Sequence, residues 1–370
     1  MGAGSPTKKK KMRKWNFTAG PSTLPEGVLR VAQAAIWDVG LGAGILEVSH
    51  RSAYFDGLMH ELEEKFRRLG GISDAYDVLF LQGGATLQFS QIPYALTRPG
   101  DHIDCLHTGF WTRHAMRDAA RYTSVHYAYD GSKDGFDHIP EAGEIAYSEG
   151  ARYVHYCANN SFLGTEWAHP PRAQAPLVAD MSSNLFSRLL DVDAHSLIFA
   201  SAQKNLGMAG CCVVIVRRDF LEANLGPNLG SMFDYRRLAE ARSMLNTPPT
   251  FALFVMKEVL VWIESRGGLA GVGAENRVKA AIVREAIDAT GGFFCHIGRA
   301  DSRSQVTVCF RSPSAALDEA FAAEAEALDM IGLRGHRETG GLRASLFNAL
   351  PREACLALAE HILDFACRMG

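Results

Sequence analysis

The sequence predicts an α/β protein: a large domain built on a mostly parallel, seven-stranded sheet, followed by a smaller C-terminal α/β domain. Three observations carry this. Seven short apolar runs, at residues 78–81, 101–106, 124–127, 153–157, 177–179, 197–200 and 211–216, have the length and bounding residues of buried strands. Stretches of helical spacing alternate with them, the order that gives a parallel sheet covered on both faces. A glycine run, G-G-L-A-G-V-G at 267–273, then interrupts the pattern, and beyond it come two amphipathic helices and short strands at 306–310 and 341–345. The expected division is a basic tail over 1–14, a large domain over 15–268 and a small one over 269–370.

Taken in order, the chain opens at Asn16 with N-F-T-A-G-P-S-T-L-P-E-G, a loop punctuated by glycine and proline. Apolar residues at 28, 29, 32, 35 and 36 predict a helix, which the glycines between 40 and 44 end. A short segment, 45–51, finishes on His50 and Arg51. A second amphipathic helix covers about 55–69 and stops at Gly70-Gly71. After the first strand, Gln82-Gly83-Gly84 forms a turn and residues 85–96 a helix; another, longer helix occupies about 251–265. There is no internal repeat.

Composition narrows the function classes. The 370 residues are 47% hydrophobic and 21% charged, ordinary for a globular protein. No apolar run approaches the ~20 residues of a membrane span, and no apolar signal segment opens the chain. The first fourteen residues hold Lys8 to Lys11, Arg13 and Lys14 without an acid, so the net charge of −3 belongs to an acidic body behind a basic leader. That leader has no apolar periodicity and reads as disordered. An acidic body argues against nucleic-acid binding as the main function. Eight scattered cysteines with no C-x-x-C pair read as reduced core residues of a cytoplasmic protein.

The chemistry centres on residues 194–217. Lys204 lies in a polar turn between two core strands, where partial desolvation disfavours its ammonium and leaves a usable amine nucleophile. Taken alone, the segment also reads as a surface lysine on a tight turn. Asp180 closes the 177–179 run, so an acid and an amine stand at neighbouring strand ends. Pyridoxal phosphate needs that pair, the amine for its aldehyde and the carboxylate for its pyridine nitrogen. Asp180 reads equally as a turn former after a strand. Gly83-Gly84, between a strand and a helix, suits an anion at a helix N-terminus.

At this point V-A-D-M-S-S-N, S-A-Q-K-N-L-G-M-A-G, N-F-T-A-G-P, S-H-R-S, L-N-T-P-P-T-F and G-H-R-E-T-G-G-L-R-A-S-L-F-N-A together resemble the phosphoserine aminotransferases, class V, fold-type I pyridoxal-phosphate enzymes. The match is collinear from about Asn16 to the C-terminus. The resemblance implies that Lys204 holds the cofactor and that Asp180 meets its ring nitrogen. It places the cofactor phosphate on the amides of Ala85 and Thr86 and on Gln203, stacks Trp111 on the ring and puts the Ser161 hydroxyl near ring substituents. Asn246 and Thr247 reach the phosphate of a neighbouring subunit's cofactor, which implies a homodimer. Arg343 takes the substrate α-carboxylate. The two pairs His50-Arg51 and His336-Arg337 surround the substrate phosphate, and no metal is implied. Two departures stand out: Ala19 replaces a hydroxyl residue common in the family, and Asn159-Asn160-Ser161 stands where Asn-Glu-Thr is usual.

The activity implied is transamination between L-glutamate and 3-phosphohydroxypyruvate, giving phosphoserine and 2-oxoglutarate in serine biosynthesis. An alternative is another class V aminotransferase of the alanine or serine–glyoxylate type. Cysteine desulfuration needs a mobile nucleophilic cysteine, which none of the eight resembles. A catalytically silent scaffold would not need both Lys204 and Asp180. A dinucleotide oxidoreductase would need a G-x-G-x-x-G turn that the sequence lacks.

Overall fold

The computed structural model describes residues 13–370, so the lysine run at 8–11 lies outside the described residues. In chain order the first half contains β1 (Trp15–Asn16), α1 (Glu26–Trp37), α2 (Ala53–Gly70), β2 (Tyr76–Gln82), α3 (Ala85–Leu96), β3 (His102–His107), α4 (Phe110–Ala119), β4 (Ser124–Asp130), β5 (Val154–Cys157), β6 (Asn159–Asn160), β7 (Thr165–Glu166) and β8 (Leu177–Asp180). The second half contains β9 (Leu197–Ser201), β10 (Cys211–Arg217), α5 (Arg218–Asn224), α6 (Tyr235–Glu240), α7 (Thr250–Ser265), α8 (Gly268–Asp288), β11 (Cys295–His296), β12 (Thr307–Arg311), α9 (Ala315–Ala327), β13 (Met330–Ile331), β14 (Leu342–Ser345) and α10 (Arg352–Met369).

All seven predicted strands join one sheet, in the order β2-β10-β9-β8-β5-β3-β4. Six of them point the same way, while β10 alone is reversed, antiparallel to both β9 and β2. The carboxyl ends of β2, β9, β8, β5 and β3 therefore finish along one edge, where ligands bind in open α/β sheets. Strand alternation sorts the side chains onto two faces. Phe80, Val213 and Ile198 pack with α1, α2 and α7, whereas Leu79, Val214 and Phe199 pack with α3, α4 and α6.

A third core belongs to the C-terminal part and is ringed by Phe294, Phe310, Phe321 and Phe365. Phe17 joins it, because β1 pairs with β13. Three helices stand here, not the two expected, since the glycine run lies largely inside α8. The chain breaks only at Gly267 and Gly268, both at positive φ, and re-enters a helix at once. Gly273 stays helical and allows close approach: a Cβ there would lie 3.3 Å from Arg188 Cα. Leu269 and Val272 of α8 pack in the sheet core, while Ala280 and Val283 pack in the third, so one helix ties the two cores together.

All eight cysteines are free, and six are buried; Cys295 and Cys367 are exposed, which corrects their reading as core residues. Both lie on the rim of the C-terminal part, where one face of a short strand or a final helix turn meets solvent. Among the described residues, no helix is long and apolar enough to cross a membrane.

Candidate active site

Asp180 is the last residue of β8, and Lys204 lies three residues beyond β9, its parallel neighbour, so the sheet itself brings acid and amine to one edge. Both are buried, at 3% and 9% exposure. Burial lowers the Lys204 pKa, against the opposing pull of the Asp180 charge. Burial likewise raises that of Asp180, opposed by hydrogen bonds from Ser182 and by the Lys204 charge. The Ser182 N–H donates to Asp180 Oδ1 at 2.9 Å. Desolvation outweighs attraction at both groups, so each is pushed toward its neutral form.

The lysine is gripped from below. Gly20, at φ +126°, lays the 16–21 loop against its stem: a Cβ there would be 3.4 Å from Cγ of both Gln203 and Lys204. Ser22 donates its N–H to Gln203 O at 3.0 Å. Above, Lys204 Nζ stands 5.9 Å from the centroid of the Trp111 ring, which the first turn of α4 presents. The Trp111 Nε1 is buried and has no partner among the described residues.

Trp111 belongs to an aromatic wall that sequence reading missed. Phe162 stands 5.5 Å from it, Phe110 5.2 Å, and the His336 ring stacks on Phe162 at 3.9 Å and 12°. Arg343, on β14, also lies over the Phe162 ring, its Cζ 5.3 Å from the centroid. Its Nη1 reaches Ser161 O at 3.5 Å, and its buried Nε is unpartnered among the described residues. Burial lowers its pKa. A half-buried guanidinium with no acidic partner among the described residues is a ready receptor for a carboxylate. The glycine-rich loop carrying His336 and exposed Arg337 is closed by an ion pair from Glu338 to Arg113 of α4. No single motif announces Phe110, Phe162, Arg113 or Glu338 in the sequence.

At the first turn of α3, Ala85 donates its N–H to Ser201 Oγ at 2.7 Å, so this amide, expected on the cofactor phosphate, is engaged within the chain; Thr86 beside it is exposed. The substituted Asn160 is consumed structurally, donating to Thr108 Oγ1 (3.2 Å) and Thr165 Oγ1 (3.0 Å), while Ser161 is buried next to it.

Four residues fall elsewhere. His50 and Arg51 line a surface depression with Asp56, Met244 and Leu245, and the exposed Asn246 and Thr247 follow directly in the chain. Thr247 O accepts from Gln82 Nε2 at 3.0 Å, which ties this patch to the end of β2. Neither His336 nor Arg337 is among the residues that line this depression within one chain. Among the described residues no cluster of His, Cys, Asp or Glu could hold a metal ion.

Fold and site together define a class-V aminotransferase, whose family model matches residues 14–355. Such enzymes use pyridoxal phosphate, and the residues present fit it: a dry amine, a buried carboxylate and an aromatic ring over the amine. The chain is 42% identical over 360 residues to the phosphoserine aminotransferase of Geobacillus kaustophilus, covering 97% of this chain and 99% of that one. The phosphoserine aminotransferase structure from Bacillus circulans subsp. alkalophilus superposes with a TM-score of 0.94 at 39% identity, over 97% of this chain and 99% of that one. The pyridoxal-phosphate-bound enzyme of Trichomonas vaginalis gives 0.90 at 35%, over 95% and 99%. The chain belongs to the phosphoserine aminotransferase family.

The His336 stack gives a direct test. Burial, then the Arg343 charge, holds the His336 pKa below its ordinary value. Phe162→Ala uncovers the ring, so its titration, followed by NMR, moves up toward ~6.5. An unmoved or lower titration would contradict the packing described.

Proposed function

We propose that this chain is a cytoplasmic enzyme that transfers the amino group of L-glutamate to 3-phosphohydroxypyruvate, producing O-phospho-L-serine and 2-oxoglutarate. The observation that carries this is the buried Lys204–Asp180 pair, roofed by Trp111, with Arg343, which has no acidic partner among the described residues, on the same aromatic wall. Bound there, pyridoxal phosphate supplies an aldehyde carbon that exchanges amino groups and a pyridinium ring that takes up the electron pair of the broken Cα–H bond.

Every other part of the work falls to this chain's residues. Asp180 holds a proton at the ring nitrogen. The amide of Thr86, the dipole of α3, the Gln203 side chain and Ser201 beside Ala85 bind the cofactor phosphate. Ser161 bounds the ring edge. Trp111 fixes the ring plane by stacking, which orients the breaking bond. Lys204 Nζ, kept toward neutrality by burial, takes the α-proton of the amino donor and returns it as general acid–base. Arg343 clamps the α-carboxylate.

The substrate phosphate needs further cations. His336 and Arg337 face it from the same chain, and His50 and Arg51 come from a second copy together with Asn246 and Thr247. Support for the second copy lies in the exposure of Arg51, Asn246 and Thr247 and in exposed apolar residues of the segment that precedes His50. Trp37 is 87% exposed, and Leu41 and Leu46 are exposed on the segment leading to His50. Apolar side chains gathered this way mark an interface. Glyoxylate-type transamination is the lesser reading, since those amino donors bring no second anion for four His and Arg side chains to meet.

Each charge-assisted contact to an ionised group is worth about 1.5–3 kcal/mol. Arg337→Ala and Arg51→Ala should each cost roughly one to two decades of kcat/KM with phosphoserine as donor, and much less with serine. Equal losses on both donors would remove the phosphate-substrate reading.

Sharing between chains is tested by mixing. Lys204→Ala alone should have essentially no turnover, and Arg51→Ala alone a reduced one. After the two are unfolded and refolded together, mixed dimers contain one site with both residues intact, so phosphoserine turnover should exceed that of either parent at equal Arg51→Ala content. Turnover no higher than the Arg51→Ala contribution would show that Arg51 serves its own chain.

A further inference from the structure

One buried charge has no part in the chemistry above. Helix α8 carries two buried polar side chains one turn apart, Asn276 at 1% exposure and Lys279 at 0%. A buried ammonium is costly unless its donors are met. Lys279 Nζ meets them with backbone carbonyls: Phe347 O at 2.7 Å, Leu346 O at 3.0 Å, Leu350 O at 3.1 Å and Asn348 O at 3.4 Å. An ammonium has three N–H donors, so the whole turn over 346–350 converges on one charge.

That turn runs straight on from β14, the strand of Arg343. Its middle residue, Asn348, is bound on three sides. The Asn348 Oδ1 accepts from Asn276 Nδ2 at 2.8 Å, its Nδ2 donates to Phe186 O at 2.8 Å, and its N–H donates to Asn205 Oδ1 at 3.1 Å. Asn205 directly follows Lys204 and is itself anchored on Ser183 O at 3.1 Å. A continuous hydrogen-bonded path thus joins Lys279 to the backbone beside Lys204. Arg343 stands on one end of it and the reactive amine on the other. Misplacing such groups by about 1 Å can cost 100-fold in rate.

We propose that Lys279 is a positioning residue: its ammonium draws the 346–350 turn onto α8 and so sets Arg343 at the right place relative to Lys204. What Arg343 binds is taken from the transaminase reading above. The charge matters because carbonyl dipoles converge on it; a neutral amine has two N–H donors and no charge to hold them.

The charge is also poised to be lost. Burial holds the Lys279 pKa down, to about 8, against the raising influence of Cys355 and Glu275. Three other ionisable groups stand near it. Glu275, on its own helix, is bonded to Arg352 of α10, which keeps its carboxyl low; Cys355 of α10 is pushed up to about 12. The 346–350 turn offers only carbonyls to the ammonium. None of these three groups changes charge around pH ~8, so Lys279 is the one that does. A purely structural lysine would leave the opposite trace. Its folded pKa lies below the unfolded value of ~10.4, so its contribution to stability rises with pH between the two.

The test uses the cofactor-loaded enzyme and glutarate, an unreactive dicarboxylate, titrated by calorimetry at pH ~7 and ~9. Wild type should lose several-fold in glutarate affinity on going to the higher pH. Lys279→Met should bind roughly tenfold more weakly at the lower pH and show less further loss. Lys279→Arg, whose charge does not titrate, should also lack the alkaline loss even where its affinity differs. Wild-type affinity in Lys279→Met, or an alkaline loss that Lys279→Arg retains in full, would overturn the proposal. The arginine comparison decides should the methionine variant fail to fold. Phosphoserine turnover by the wild type reports the functional reading separately, because glutarate binding needs no phosphorylated substrate.

Discussion

An amine and a carboxylate share a dry seam at the ends of two neighbouring parallel strands, and most of the structure follows from keeping them there. Buried ionisable groups are a liability, since desolvation outweighs their mutual attraction unless every remaining contact is supplied. The shifts at Lys204 and Asp180 have opposite signs and one leading cause, burial. Reactivity comes from the same cause. An amine denied water is available to bond to carbon and to carry a proton, which a solvated ammonium is not.

The supports of that seam come from far apart in the chain. Gly20 presses from the first loop, Trp111 from α4, Asn205 from the lysine turn itself and Asn348 from the C-terminal part. The last contact matters most for specificity, because Arg343 rides on the C-terminal sheet while Lys204 rides on the large one. Helix α8 crosses between their cores and pins the joint with Asn276 and Lys279. Distance between carboxylate receptor and amine is therefore fixed by packing between two cores and not by a single loop.

Much of this was legible in the sequence, for physical reasons. The seven strands are short apolar runs bounded by turns, so length and bounding residues located them all. Their direction was less legible: nothing in C-C-V-V-I-V-R tells that β10 runs antiparallel, because a buried run reads the same either way. Lys204 and Asp180 were visible since polar residues at the ends of core strands are conspicuous. The aromatic wall was only half legible: the resemblance named Trp111 and His336, but Phe110 and Phe162 meet them only through tertiary packing, and singly each reads as an ordinary ring. The glycine run at 267–273 divides: Gly267 and Gly268 break the chain after α7, whereas Gly271 and Gly273 serve close packing inside α8. Lys279 gave no signal at all; its cage consists of main-chain carbonyls, which carry no side-chain pattern.

The central claim is that the dry amine of Lys204 carries the cofactor and that the site accepts phosphoserine as amino donor. The visible absorption of the cofactor-loaded protein, recorded before and after adding O-phosphoserine without a keto acid, tests both together. The account predicts loss of the band of the lysine-bound aldehyde form and growth of the amine-form band, reversed by 2-oxoglutarate. A spectrum that phosphoserine leaves unchanged, in protein shown to hold the cofactor, would contradict it.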